Sequence, residues 1–166
     1  MTPLQALRAP PAVIGRVEAI IVRSTPRLPA RRIDRSFARA GIGLADDRLG
    51  QRGEAEPSTR QVTLIQHEHL PVIAQLARVP QVDPVGLRRN LVVSGINLLA
   101  LKNARLRVGE ALLELVGPCH PCSRMEEAIG AGGYAAMRGH GGMTARVIED
   151  GAIAVGDALV VVAQSG

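Results

Sequence analysis

The chain has 166 residues, 46% apolar but only 1% aromatic, with a formal net charge of +5. That length fits one domain able to bury its own core, and the core must be aliphatic because Phe37 and Tyr134 are its whole aromatic complement. No stretch reaches the roughly 18 unbroken apolar residues that cross a bilayer, so no membrane partner is expected. Every basic residue except Lys102 is arginine, a side chain suited to phosphate and carboxylate. The scarcity of stacking aromatics makes a nucleic-acid-binding role the weakest reading of that charge. The opening MTPLQALRAPPAVIG lacks a basic segment followed by a continuous apolar run, so no secretory signal is expected. Two cysteines and no export signal lead to the expectation of a cytoplasmic protein with reduced thiols.

Residues 1–14 are Pro-rich and read as an N-terminal tail, and 15–163 as a single domain. From Arg16 to Arg23 the pattern is that of a strand, with Val17, Ala19 and Ile21 expected on one face. Ser24 to Arg39 is rich in arginine and proline and reads as loop plus extended chain. Gly41 to Arg48 is a glycine-hinged acidic turn. Arg60 to Gln66 is a second strand, followed by a short helix from about His67 to Arg78 with Pro71 in its first turn. His67 and His69 at that junction read as local caps. Further short strands follow at Asn90–Val93, Arg105–Val108, Ala111–Val116, Ala145–Glu149 and Leu159–Ala163. Val108-Gly109-Glu110-Ala111-Leu112 is echoed by Val155-Gly156-Asp157-Ala158-Leu159, each copy a Gly-acid turn feeding an apolar strand. Ser123 to Met137 reads as helix broken in two by Gly130, Gly132 and Gly133. Many short strands with Gly turns predict a mainly β fold, a barrel or sandwich with a few helices.

Both cysteines lie in Gly117-Pro118-Cys119-His120-Pro121-Cys122-Ser123-Arg124. Thiolates are the soft nucleophiles and soft metal ligands of a chain, and a histidine and an arginine beside the sulfurs are cationic company that suits them. Four readings stay open on the residues alone. A zinc half-site needs two more ligands, and His67, His69, His120 and His140 show no finger spacing. A thioredoxin-like pair fits the strand-to-helix position but not the missing βαβ pattern. The others are two core-filling cysteines and a single reactive or metal-ligating thiolate supported by its neighbour.

Five motifs in order resemble the MOSC domain family, named for the C-terminal module of molybdenum cofactor sulfurases, in its stand-alone bacterial form. Gly43-Leu44-Ala45-Asp46-Asp47-Arg48 is similar to the family's Gly-Leu-x-Gly-Asp-Arg, with Asp46 where glycine is usual. Arg60-Gln61-Val62 is similar to its Arg-Gln-Val strand. Arg88-Arg89-Asn90-Leu91 with Ser94-Gly95 resembles its Arg-x-Asn and Ser-Gly positions. The Gly-x-Cys-x-x-Cys turn and the closing Gly151 and Gly156-Asp157 complete the set. The resemblance runs from about Gly15 to Val162 and implies a closed or partly open β-barrel with a few short helices.

The resemblance also implies a site. Cys122 matches the functional thiolate, a catalytic residue and the metal ligand to molybdenum in members that bind molybdenum cofactor (molybdopterin), with Cys119 secondary and Arg124 and His120 beside the sulfur. Arg88 and Asn90 match positions facing the cofactor pocket, and Arg89, opposite them on an extended chain, is expected to be solvated. Arg60 and Gln66 are expected to reach the same pocket, Arg48 to bind phosphate, and His140 in the Gly139–Met143 loop to give a proton to a leaving hydroxyl. The implied activity is an oxidoreductase that reduces N-hydroxylated compounds such as hydroxylaminopurines or amidoximes. A separate flavin or iron–sulfur electron-donor protein is implied, because the chain has no such motif. The alternative is a sulfur carrier in which Cys122 holds a persulfide received from a cysteine desulfurase. Pyridoxal phosphate is not expected on this chain, since Lys102 is its only lysine and has no supporting motif.

Overall fold

The computed structural model describes residues 2–4, 14–48 and 60–163; most of the expected tail over 1–14 lies outside them. Its strands are β1 (Ile14–Val22), β2 (Arg31–Ile33), β3 (Arg35–Arg39), β4 (Gly43–Leu44), β5 (Val62–Gln66), β6 (Leu91–Ser94), β7 (Arg105–Val108), β8 (Ala111–Pro118), β9 (Met143–Glu149), β10 (Gly151–Ala154) and β11 (Ala158–Ala163). Three short helices join them, α1 (His69–Ala77), α2 (Arg124–Ile129) and α3 (Gly133–Met137), with 3-10 turns at Pro84–Leu87 and Leu98–Leu101.

Seven strands close a barrel in the order β1, β11, β7, β8, β9, β5, β6 and back to β1, while β2 extends from β1. Closure leaves these strands without open edges, which is the physical advantage of a barrel. Strands β10, β3 and β4 form a separate small sheet. Only β5 and β6 run parallel among the pairings described, and a parallel pair needs a crossover connection. That crossover carries α1 and the first 3-10 turn.

Two apolar clusters follow from the period-2 alternation of strands. Leu64, Leu91, Val93, Leu106 and Leu113 point into the barrel. Ile65 and Val92, their neighbours in sequence, point outward against Ile73 of α1, Met125 of α2 and Met137 of α3. Strands covered on both faces carry the near-continuous apolar runs seen in β5 and β6. Strand β1 departs from the expected facing. The register with β6 shifts between Val17 and Ala19, a bulge that inserts Glu18 and reverses the sense of alternation. Val17, Ile20 and Val22 therefore fill the barrel, while Ala19 and Ile21 face the helices.

The Arg-rich segment read as loop plus extended chain contains β2 and β3. In β3 the buried positions are Ser36 and Ala38, and Phe37 is 44% exposed, so polarity does not track the faces. The helix expected over 123–137 is in two pieces, as its glycines predict. Helix α1 begins without a side-chain cap, so His67 and His69 do not cap it, and the His69 ring instead meets His140 edge-on at 5.5 Å. The two echoed Gly-acid turns pack together. Val108 pairs with Ala111 on one side and Leu159 on the other, and a Cβ on Gly109 would lie 2.4 Å from the Asp157 carboxylate.

Gly142, at the entry to β9, has φ +92°, and a Cβ there would lie 1.8 Å from the Leu64 carbonyl oxygen. Both the left-handed backbone and the contact with fixed backbone require glycine. Gly142→Ala is expected to destabilise the fold by about 3 kcal/mol or more, read as a lowered urea midpoint at unchanged slope.

Candidate functional site

A cavity of about 340 Å³ opens where the C-terminal end of β1 meets the segments leading into β5 and β6. Its wall includes Arg23, Asp47, Arg48, Arg60, Arg88 and Cys122. The cysteine turn lies beside it because β8 pairs with β9 up to Pro118 and Met143. The Cys119 N–H extends that ladder by donating to the Gly142 carbonyl at 2.8 Å. Three residues later the Cys122 carbonyl accepts from the Met125 N–H, at the start of α2. One turn thus converts a strand into a helix and separates the two sulfurs. Cys119 is 3% exposed and receives a hydrogen bond from Arg60 Nη2 at 3.4 Å, whereas Cys122 is exposed.

Arg89 holds this turn in place. It is 3% exposed. Its Nε donates to the Gly141 carbonyl at 2.7 Å, Nη1 to Leu87 at 3.0 Å and Nη2 to Cys119 at 3.5 Å. The expectation of a solvated Arg89 assumed an extended chain. Arg88 instead has φ 60° and ψ 35°, the left-handed cap of the preceding 3-10 turn, and that twist turns Arg89 inward. Burial lowers the Arg89 pKa below its ordinary value, with the two sulfurs opposing the shift, and the guanidinium stays cationic.

Asn90 lines the cavity, but its amide is committed to the scaffold. Oδ1 accepts from the Thr63 N–H at 3.0 Å, and Nδ2 donates to the Ile21 carbonyl at 3.2 Å and to Asp47 Oδ2 at 3.3 Å. Asp47, the one carboxylate on this wall among the described residues, also accepts from the Arg23 N–H at 2.8 Å. Asp46, at the family's usual glycine, accepts from Ser36 Oγ at 2.9 Å. Partial burial, then Arg124 and Arg23, lower the pKa of Arg88 below its ordinary value, while Cys122 opposes them. The wall therefore presents an excess of positive charge.

Of the residues singled out in the sequence, Cys122, Arg88, Asn90, Arg60 and Arg48 come together on the cavity, as does His120. Arg124 lies on an adjoining lobe, and Cys119 is behind the wall, touching Arg60. Gln66 and His140 do not line the cavity. Gln66 Oε1 accepts from the Leu98 N–H at 3.0 Å; His140 Nδ1 lies 3.3 Å from the Ala136 carbonyl. Sequence reasoning missed Arg23, which follows β1, and Thr63, the second residue of β5; strand ends carry no local signal of which end meets which. Arg89→Met should lower stability by about 2–4 kcal/mol, because the guanidinium bridges are lost and buried carbonyls are left unpartnered. In the native protein Cys122 should react with a maleimide far faster than Cys119. In the variant, Cys119 should become reactive as well, and Arg89→Lys should not restore its protection.

The MOSC domain model matches residues 41–160 of the chain. No curated protein sequence matches it. Among solved structures, the YuaD protein from Bacillus subtilis superposes with a TM-score of 0.75 at 20% identity, over 88% of this chain and 94% of that one. YiiM from Geobacillus stearothermophilus gives 0.71 at 16% identity, over 90% and 75%. YiiM from Escherichia coli gives 0.64 at 20% identity, over 95% and 72%. These likenesses show the fold, a closed seven-stranded barrel. With the family model spanning most of the sequence and the cysteine turn beside an arginine-lined cavity, the chain belongs to the MOSC domain family, which is associated with molybdenum cofactor binding.

Proposed function

We propose that the protein holds molybdenum cofactor in the arginine-lined cavity, with Cys122 as the metal's thiolate ligand, and reduces N-hydroxylated compounds. The observation that carries this reading is an exposed thiol on a wall rich in guanidinium groups, whose one described carboxylate is already engaged by Arg23 and Asn90. The donor set fits the group. A soft thiophilic metal takes a thiolate, and arginine forks match a pterin phosphate. When bound, the cofactor supplies two-electron redox chemistry at its metal.

The chain's own residues supply the rest. Arg48, Arg60 and Arg88 bind and orient anionic groups, while Asn90 and Asp47 hold the wall in shape. Arg89 fixes the turn so that Cys122 keeps its place beside the cavity. His120, on the same wall, takes the proton role expected of His140 and gives a proton to the departing hydroxyl. A separate flavin or iron–sulfur protein delivers two electrons, and with two protons the N–OH group becomes N–H and water.

The exposure of Cys122 favours a second reading. A thiolate open to another protein can accept a sulfane sulfur from a desulfurase persulfide, releasing the desulfurase's cysteine thiolate, and pass it on. Protein purified from a cofactor-competent host should carry near-stoichiometric molybdenum and pterin, and Cys122→Ala should lose the metal and the reduction of hydroxylaminopurine. Absence of metal in the native protein, with a persulfide on Cys122 after incubation with a cysteine desulfurase, would establish the sulfur carrier instead.

A further inference from the structure

Beside the main cavity lies a second lobe of about 300 Å³, and the two share Arg23, Ala30 and Arg88. The outer lobe adds Arg124, Glu127 and Ala128, from α2. Three guanidinium groups there face a single carboxylate. Arg23 is braced, its Nε donating to the Leu28 carbonyl at 3.0 Å. Arg88 and Arg124 have no hydrogen-bond or ion-pair partner among the described residues, and their mutual repulsion contributes to the lowered pKa of Arg88. Two exposed arginines with no partner among the described residues line one hollow, an arrangement that an anion would complete.

The main cavity has cations of its own, Arg48 and Arg60, which do not line the outer lobe. An anion held by that pair leaves Arg124 and the outer face of Arg88 unmatched. We propose that the outer lobe is a phosphate-binding subsite for the substrate, so that the compound reduced is an N-hydroxylated nucleoside monophosphate rather than a free base. This rests on the reading of the main cavity given above and names its substrate class. Each hollow has the size of a small-ligand site. Their shared wall lets one molecule span both, with the base on the Cys122 side and the phosphate between Arg88 and Arg124.

The same chemistry could come from the cofactor, whose pterin also bears a phosphate, and the test separates the two sources. Binding of adenosine 5′-monophosphate and of adenosine is measured by calorimetry on protein with and without bound molybdenum cofactor. Two substitutions on exposed α2 positions change the lobe's charge without touching the arginines. Ala128→Glu adds a carboxylate and should weaken monophosphate binding about tenfold at low salt. Glu127→Gln removes one and should tighten it about threefold at low salt. Adenosine binding should respond to neither.

Monophosphate binding that survives cofactor loading and follows both substitutions is the expected result. Loss of that binding on loading would assign the lobe to the cofactor's own phosphate and overturn the proposal. So would equal affinity for adenosine, or indifference to both substitutions. Molybdenum content is read in the same samples. If no preparation carries the metal, the cofactor reading fails by itself, and the two substitutions still decide whether the lobe binds phosphate.

Discussion

The buried guanidinium of Arg89 is the interaction on which the site depends. It ties together three stretches distant in sequence: the end of the first 3-10 turn through Leu87, the cysteine turn through Cys119, and the glycine loop before β9 through Gly141. Burying a cation without a carboxylate carries a desolvation penalty, visible in the lowered pKa of Arg89. A planar fork aimed at carbonyl oxygens is the arrangement that makes such burial tolerable. Lysine, with a single compact head, cannot reach all three acceptors in one geometry. The charge that remains interacts favourably with both sulfurs. The group that shapes the turn therefore also supplies positive potential to the thiol exposed on it.

That clamp explains why two cysteines three residues apart have unlike surroundings. Cys119 is the last rung of the β8–β9 ladder, with its N–H on Gly142, its carbonyl on Arg89 and its sulfur on Arg60. Cys122 lies past that rung, where the chain has left the sheet and is entering α2, so its side chain reaches the surface. The opposite wall has comparable rigidity. Asn90, Asp47 and Thr63 bind one another and the backbone of β1, β5 and the approach to β6. An exposed thiol mounted between two such fixtures keeps a defined place on the cavity wall.

The barrel was legible because its strands carry short apolar runs bounded by glycine turns, as in Leu64-Ile65 and Leu112-Leu113. What escaped was set by backbone detail or long-range pairing. The bulge at Glu18 exchanged the facing of Ala19 and Ile21, a single inserted residue that no side-chain pattern announces. The left-handed Arg88 converted an expected surface arginine into the central clamp. Strand β3 buries a serine and exposes a phenylalanine, which inverts the cue of polarity. At the site, the cysteine turn and the Arg-x-Asn segment were readable as motifs. Gln66 and Gln61 show the limit. They flank the same strand at opposite ends, and only Gln61 reaches the cavity. Which end of β5 faces the site depends on its parallel pairing with β6 and the antiparallel approach of β1.

Net charge alone says little about where positive charge gathers; local pairing and the lining of the cavity say more. On β7, β8 and β9, away from the cavity, arginines are matched: Arg105 and Arg146 bracket Glu114, and Arg107 binds Glu149 at 2.8 Å. Arg32 pairs with Asp83 at 3.2 Å. Those exposed pairs contribute little stability individually, but they cancel charge locally. Arg88 and Arg124 have no such partners among the described residues, and the Asp47 carboxylate nearby is already held by the Arg23 N–H and Asn90. Among the described residues, the cavity wall that carries Cys122 thus gathers Arg23, Arg48, Arg60, Arg88 and Arg89 around one carboxylate. An anion entering the cavity meets several guanidinium groups on the wall that also carries the exposed thiol, so the charge that attracts a ligand and the sulfur that meets it belong to one surface.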